Sequence, residues 1–302
     1  MHAVILKYFA TVARSGSIRK ASEELHVATS ALSRQIQKLE DELDAPLFER
    51  LPKGLRLTRA GEIVLAHADR TLQEFDVLKG ELGALRGMKT GQVRIACLDS
   101  LLVHFLPAEI RKFHRAHPGV NFRVQTGAHG RVTSLVADGE ADFAITFNIS
   151  PPDDMQLTHD IAMPLKAMVA KDHPLARMPA VTLSECAQYS LLLQLDTEPI
   201  RSLIEVELSV LHRSGRNFIT SNHIMLLRQM VKDGLGVAFY TPIGLVEELN
   251  SGEIVGVPLK GTRLGALRLG ILVPKRRQMT RASHAMIEQI GASLAELEKS
   301  VP

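Results

Sequence analysis

The chain has 302 residues but no run of eighteen apolar residues, and no charged N-terminal region leading into a long apolar stretch. From these absences neither a membrane-spanning helix nor a secretory leader is expected. A cytoplasmic protein without a membrane partner is therefore expected. Cysteine is scarce: Cys97 and Cys186 stand far apart, so two reduced core thiols are expected rather than a disulfide framework. The twelve histidines are scattered, and His114 and His117 have no cysteine nearby, so neither a metal nor a cofactor is anticipated. There is no Gly-x-Ser-x-Gly elbow and no Gly-rich phosphate loop with a lysine, which leaves catalysis without a recognisable footing. Short internal repeats and low-complexity tracts are missing as well.

The net charge is only +3, yet residues 1–60 hold ten Lys/Arg against seven Asp/Glu. Local fields outweigh the total here. The run Ser17–Leu43 has Ala21 and Leu25 four apart, then Leu32, Ile36, Leu39 and Leu43 at spacings of four, three and four. Two short amphipathic helices follow from that spacing, broken at His26-Val27-Ala28. Thr29 is placed to cap the second helix. With the apolar stripe buried, Ser30, Ser33, Arg34, Gln37 and Lys38 face outward with Thr29 at the leading turn. Hydroxyls, an amide and two cations, with no carboxylate until Glu40, suit a helix entering a DNA major groove.

Next, Leu51-Pro52-Lys53-Gly54 reads as a turn, and Leu55 and Leu57 alternate with Arg56 and Thr58 as a half-buried strand does. A small β-wing carrying Arg50, Lys53, Arg56 and Arg59 results, its cations suited to phosphates rather than bases. A helix-turn-helix beside a basic wing is a winged-helix domain for double-stranded DNA.

Leu6–Phe9, Gly16–Ser17, Ala31–Ile36 (ALSRQI), Pro46–Arg50 (PLFER) and Leu57–Gly61 (LTRAG) resemble the N-terminal domain of LysR-type transcriptional regulators. Many members have Gln-Pro where this chain has Thr29-Ser30, so the family's base preference is not carried over. Val93–Ala96, His117-Pro118 and Gly234-Leu235-Gly236 are similar to the family's effector-binding region. The resemblance thus spans the chain, densely over the first sixty residues. It lacks the closely spaced cysteine pair with which some members sense oxidants.

From Glu62 to Met88 there is no proline, and Leu65, Ala68, Leu72, Phe75, Leu78, Leu82 and Leu85 recur three or four apart. That stripe belongs to a helix of about 40 Å at roughly 1.5 Å per residue. It suits pairing with a second copy, the lesser alternative being a helix laid along its own domain. The resemblance implies dimerisation through this linker helix, further assembly to a tetramer, and contact with RNA polymerase.

After Gly91 short apolar strands alternate with helical stretches, one of them expected over 200–212. Open, mostly parallel sheets covered by helices are expected. The resemblance adds two subdomains forming a periplasmic-binding-protein-like clamshell. The domains are placed at 1–59 (winged helix-turn-helix), 60–90 (linker helix) and 91–302 (effector domain). Within the last, one subdomain takes 91–162 with 268–302 and the other 163–267.

Ligands bind beyond the carboxyl ends of such strands. The lining loops are then Asp99, Ser100 and Leu101; Thr126, Gly127 and His129; Phe147 and Asn148; and, across the cleft, Asn222 and His223 after Ser221. Ser100 serves equally as a plain helix cap, and His129 either meets the ligand, senses pH or caps its loop. In related regulators such loops hold a small effector, often a carboxylate. Asp99 would repel one, so a hydroxylated, amino-bearing or zwitterionic effector is as well suited. Two alternatives stand beside a sequence-specific, effector-controlled regulator. One is a ligand-independent architectural DNA binder. The other is an enzyme with Asp99, Ser100 and His129 as its triad, for which the same residues serve as capping and ligand groups.

Overall fold

A computed structural model describes residues 2–51, 54–85, 90–147, 152–194, 204, 217–261 and 267–300. The chain divides into two compact units, Met1–Met88 with Asp138–Glu140, and Lys89–Ala137 with Ala141–Pro302.

In the first unit, α1 (His2–Ser15), α2 (Ile18–Leu25) and α3 (Thr29–Leu43) enclose a core of Phe9, Val12, Ala21, Leu32, Ile36, Leu39 and Leu47. Each large apolar side chain so buried contributes about 1.5–3 kcal/mol. Ser17 caps α2, and His26 ends it in the left-handed region at φ 52°. Thr29 is not the cap of α3. That position falls to Ala28, which makes no side-chain cap bond, and Thr29 is the first helical residue. Its hydroxyl is taken instead by Ser22 Oγ, 2.8 Å away across the turn. Leu43, at the last helical residue, is 46% exposed, so the buried stripe stops at Leu39.

Strands β1 (Phe48–Leu51) and β2 (Gly54–Leu57) pair antiparallel as the wing. The Leu55 amide donates to Gly16 O at 2.8 Å, tying the wing to the end of α1. Gly54 has φ +135°, and a Cβ there would sit 2.7 Å from Gly16 O, so the approach requires glycine. The Glu40 carboxylate accepts the Leu47 and Phe48 amides at 2.7 and 3.2 Å, joining α3 to the wing. Arg59 lies outside the wing: it opens α4 (Arg59–Leu85) and pairs with Glu62 at 2.8 Å.

The stripe on α4 divides. Leu65, Ala68 and Leu72 pack on the first unit's own core, whereas Phe75, Leu78 and Leu82 are 42, 47 and 50% exposed. On the packed half of α4 Asp69 is buried 2.5 Å from Arg14, and burial nevertheless holds its carboxyl above the ordinary range.

The second unit holds two five-stranded sheets. In order, the first is β4 (Gly119–Thr126), β3 (Thr90–Cys97), β5 (Phe143–Phe147), β12 (Arg268–Pro274) and β6 (Met155–Ala162). The second is β11 (Ile254–Pro258), β7 (Lys166–Ala170), β10 (Val237–Tyr240), β8 (Leu191–Gln194) and β9 (Asn217–Ser221). Neither is mostly parallel. Each has two parallel and two antiparallel pairings, because β12 returns beside β5 and β6, and β7 lies between β10 and β11. The wholly buried runs FAITF and VAFY occupy interior positions, as strands covered on both faces do. Strands β6, β9 and β11 have no counterpart in the sequence expectations, and the helix expected over 200–212 lies outside the described residues.

Gly54→Ala should destabilise the first unit by about 1–3 kcal/mol, from strain at its φ and collision with Gly16. Urea unfolding followed by circular dichroism measures this.

Candidate functional sites

Burial of Leu32, Ile36 and Leu39 decides which side of α3 meets solvent. Thr29, Ser30, Arg34, Gln37 and Lys38 are exposed, and Ser33 is half-buried beside the core. Glu40 is turned away by its bonds to the wing amides. Asp41 was missed: it is exposed and stands seven residues, two helical turns, beyond Arg34. The same periodicity that singled out Arg34 would have found it. On the wing Arg50 is exposed, and Arg56 is held by Glu49 Oε2 at 2.7 Å from Nη2 and 3.1 Å from Nε. An exposed pair of that kind is worth about 0–1 kcal/mol and can be given up to a phosphate. Lys53 lies outside the described residues.

The parallel strands of the first sheet end together, with Cys97 paired to both Thr126 and Ile145. Their following loops therefore share one edge. Asp99–Leu102 forms a 3-10 turn capped by Leu98, so Ser100 is inside the turn and is not its cap. Leu101 is fully buried and Phe147 nearly so, both in the hydrophobic core, which takes them away from a solvent-filled cleft. Thr126 is exposed and Gly127 half-buried. His129 opens α6 (His129–Ala137), and its Nδ1 lies 2.9 Å from the buried Thr146 Oγ1, which anchors the ring to the sheet. Asn148 lies outside the described residues.

In the second sheet Ser221 ends β9 beside Gln194 of β8. Asn222 and His223 are exposed, and the His223 amide donates to Ser221 Oγ at 3.1 Å just before the helix Ile224–Lys232. The two edges meet at Gly244. A Cβ added there would lie 3.0 Å from Ser100 Cβ and 3.0 Å from Ile224 Cδ1. The sequence reading missed Tyr240, at the carboxyl end of β10. It is buried, and burial with the nearby Asp99 charge pushes its hydroxyl up. Its place as the last residue of an apolar strand was the available signal. Lys166, paired with Tyr240 across the sheet, is also buried, which lowers its ammonium.

Among the described residues there is no group of His, Cys, Asp and Glu able to hold a metal ion. No helix among them is long and apolar enough to cross a membrane. Both cysteines are buried and free, and burial pushes each thiol up to about 12.

Residues 5–62 match the family described as bacterial regulatory helix-turn-helix protein, lysR family, and residues 86–295 match the LysR substrate binding domain. The chain belongs to the LysR family. It is 30% identical over 259 residues to the HTH-type transcriptional regulator CfxR of Cupriavidus necator, covering 85% of this chain and 81% of that protein. It is 28% identical over 258 residues to the RuBisCO operon transcriptional regulator of Allochromatium vinosum, covering 85% and 84%. Its fold is similar to a full-length OxyR variant from Pseudomonas aeruginosa, with a TM-score of 0.69, 21% identity, and 97% and 94% of the two chains covered. A further likeness is to full-length CbnR in complex with its target DNA, with a TM-score of 0.63 at 20% identity over 97% and 100%. This LysR-family chain is a DNA-binding transcriptional regulator with an effector-binding domain, and not an enzyme.

Thiolate is the reacting form of cysteine. Ellman's reagent at pH 8 should therefore label neither Cys97 nor Cys186 in the folded protein, and both in guanidinium chloride.

Proposed function

We propose that the chain acts in the cytoplasm as an oligomer that reads an operator through α3. The supporting observation is the row Ser30, Arg34, Gln37 and Lys38, left facing solvent once Leu32, Ile36 and Leu39 are buried. Arg34, with Thr29, Ser30 and Ser33, meets base edges. Lys38, Arg50, Lys53 and Arg56 hold phosphates. Asp41 gives the reading face an acceptor for a cytosine amino group. Residues 1–59 serve as the DNA-binding domain, 60–90 as the linker, and 91–302 as the effector domain with subdomains 91–162 plus 268–302 and 163–267.

Phe75, Leu78 and Leu82 on α4 pair with the same residues of a second copy, which sets the spacing of two recognition helices. Two dimers then assemble through effector domains, and RNA polymerase is the onward partner. The effector lies where the two sheet edges converge on Ser100 and Gly244, lined by Asp99, Ser100, Thr126, Gly127, Asn222 and His223. Asp99 and the buried Tyr240 hydroxyl favour an effector that brings a hydrogen-bond donor, such as an amine or hydroxyl, over a purely anionic one. Effector binding shifts the assembly only through different affinities for its quaternary states.

Fluorescence anisotropy on DNA from upstream of the chain's own gene, against a scrambled duplex across a salt series, tests the reading. A preference of about a thousandfold is expected for a specific site. Tight binding without preference would favour an architectural role, and no binding at low salt would refute the DNA-binding role. In the same assay Arg34→Ala should relax sequence preference by about 1–3 kcal/mol, whereas Arg50→Ala should weaken all duplexes alike and lower the salt slope by about 1. Equal losses on specific and random DNA from both variants would reverse those roles. Leu78→Glu with Leu82→Glu should convert the oligomer to a smaller species on size-exclusion chromatography and weaken operator binding at least tenfold.

A further inference from the structure

Four buried side-chain atoms have no hydrogen-bond partner among the described residues: His104 Nε2, Arg228 Nε, Glu248 Oε2 and Tyr240 Oη. The first three belong to side chains already engaged through their other polar atoms. Arg228 pairs with Glu248, and His104 Nδ1 lies 3.0 Å from Glu247 Oε1. Tyr240 differs, because the hydroxyl is the one polar atom its side chain has. The residue is 4% exposed and belongs to the apolar cluster of Ile224, Leu227 and Leu245, against which Val103, from the segment after β3, also packs.

The polar surroundings of that hydroxyl come from the first sheet. Gly244, four residues beyond Tyr240, lies against Ser100, with 3.0 Å between an added Cβ and Ser100 Cβ. Asp99 precedes Ser100, and its charge adds to burial in pushing the Tyr240 hydroxyl up. The phenol therefore stays neutral and keeps both its proton and its lone pairs. Asp99 and Ser100 are half-buried, and no lysine, arginine or histidine pairs with Asp99 among the described residues. Lys166, in register with Tyr240 across the sheet, sends its stem over Gly256 of β11, on the far side of β7 from β10. An uncompensated carboxylate, a serine hydroxyl and an orphaned phenol thus converge from two sheets.

A primary ammonium supplies what these three groups lack, since it has three N–H donors and no acceptor. One donor goes to the Asp99 carboxylate as a charge-assisted bond, one to Tyr240 Oη and one to Ser100 Oγ. A carboxylate in the same place would meet the Asp99 charge at short range, with less screening than on an open surface. An alcohol would bond to the phenol but leave the charge uncompensated. We propose that the effector carries a primary ammonium held by Asp99, Ser100 and Tyr240, with Tyr240 a specificity-determining residue. This inference rests on the effector-site reading above and narrows it from a hydrogen-bond donor to a cation.

Isothermal titration calorimetry of the full-length chain tests this with free amino acids and short diamines, which carry the ammonium, against their N-acetyl derivatives and the matching hydroxy acids, which lack it. At least one ammonium compound should bind, and should lose about tenfold or more in affinity on acetylation. Asp99→Asn should weaken that compound by about tenfold or more and leave its acetylated form no weaker. Tyr240→Phe should weaken it by about threefold to tenfold without lowering the thermal midpoint of the ligand-free chain, since the hydroxyl removed has no protein partner. A merely structural tyrosine would lower the midpoint and leave the preference for the amine intact. Failure of every ammonium compound to bind, preference for the acetylated or hydroxy forms, or an amine affinity unchanged in Asp99→Asn overturns the proposal. The same titrations separate it from the reading beneath it. A hydroxy acid that binds, and binds more tightly to Asp99→Asn, refutes only the ammonium, whereas a ligand indifferent to both substitutions refutes the effector site itself.

Discussion

The effector unit is organised around the close approach of the turn after β10 to the turn after β3, at Gly244 and Ser100. At Gly244 an added carbon would lie 3.0 Å from Ser100 Cβ and from Ile224 Cδ1, so the turn after β10 and the turn after β3 pack closely at this residue. That approach brings the carboxyl edges of two separate sheets together. It places Ser100, the Ser221–His223 loop and Tyr240 in one neighbourhood, and it lets His104 reach Glu247 and Glu248. Interiors packed to crystal-like density do not deform smoothly, so such a seam favours discrete arrangements over a continuum.

The DNA-binding unit follows the same logic at smaller scale. Gly16 and Gly54 let the wing close on the end of α1, and Glu40 spends its carboxylate on two wing amides. The consequence is chemical as well as structural. A residue that would have put negative charge on the reading helix is drawn inward, and the cations beside it face the solvent unopposed by it. Coulombic attraction to phosphate is strong at short range and screened within about 8 Å at physiological salt, so such local placement outweighs a net charge of +3.

Much of this was legible in residue spacing. The helix pair, the wing and the long α4 follow from periods of 3.6 and 2, which are properties of the chain itself. The strands with uninterrupted apolar runs were equally plain. Where expectation failed, a competing partner explains it. Thr29 looked like a cap until Ser22 was brought opposite it, and Leu43 looked buried until the helix ended beneath it. Strand β6 carries polar residues and a positive-φ His159 within an irregular register, so its pattern is not that of a buried strand. Leu101 sits within a loop that faces the cleft, but its own side chain points to the core.

What the sequence alone determined is the DNA-binding elements, the long helix, the apolar strands and the family, because helical and strand periods, turn residues and motif strings act over a few neighbours. Tertiary structure decided the rest. It turned Glu40 inward and left Asp41 outward, divided the α4 stripe between packed and exposed halves, and made the sheets mixed rather than parallel. It also assembled His104, Arg228, Glu247 and Glu248, which lie more than a hundred residues apart at the extremes. Burial and pairing are relations between distant segments, and no period within one segment encodes them.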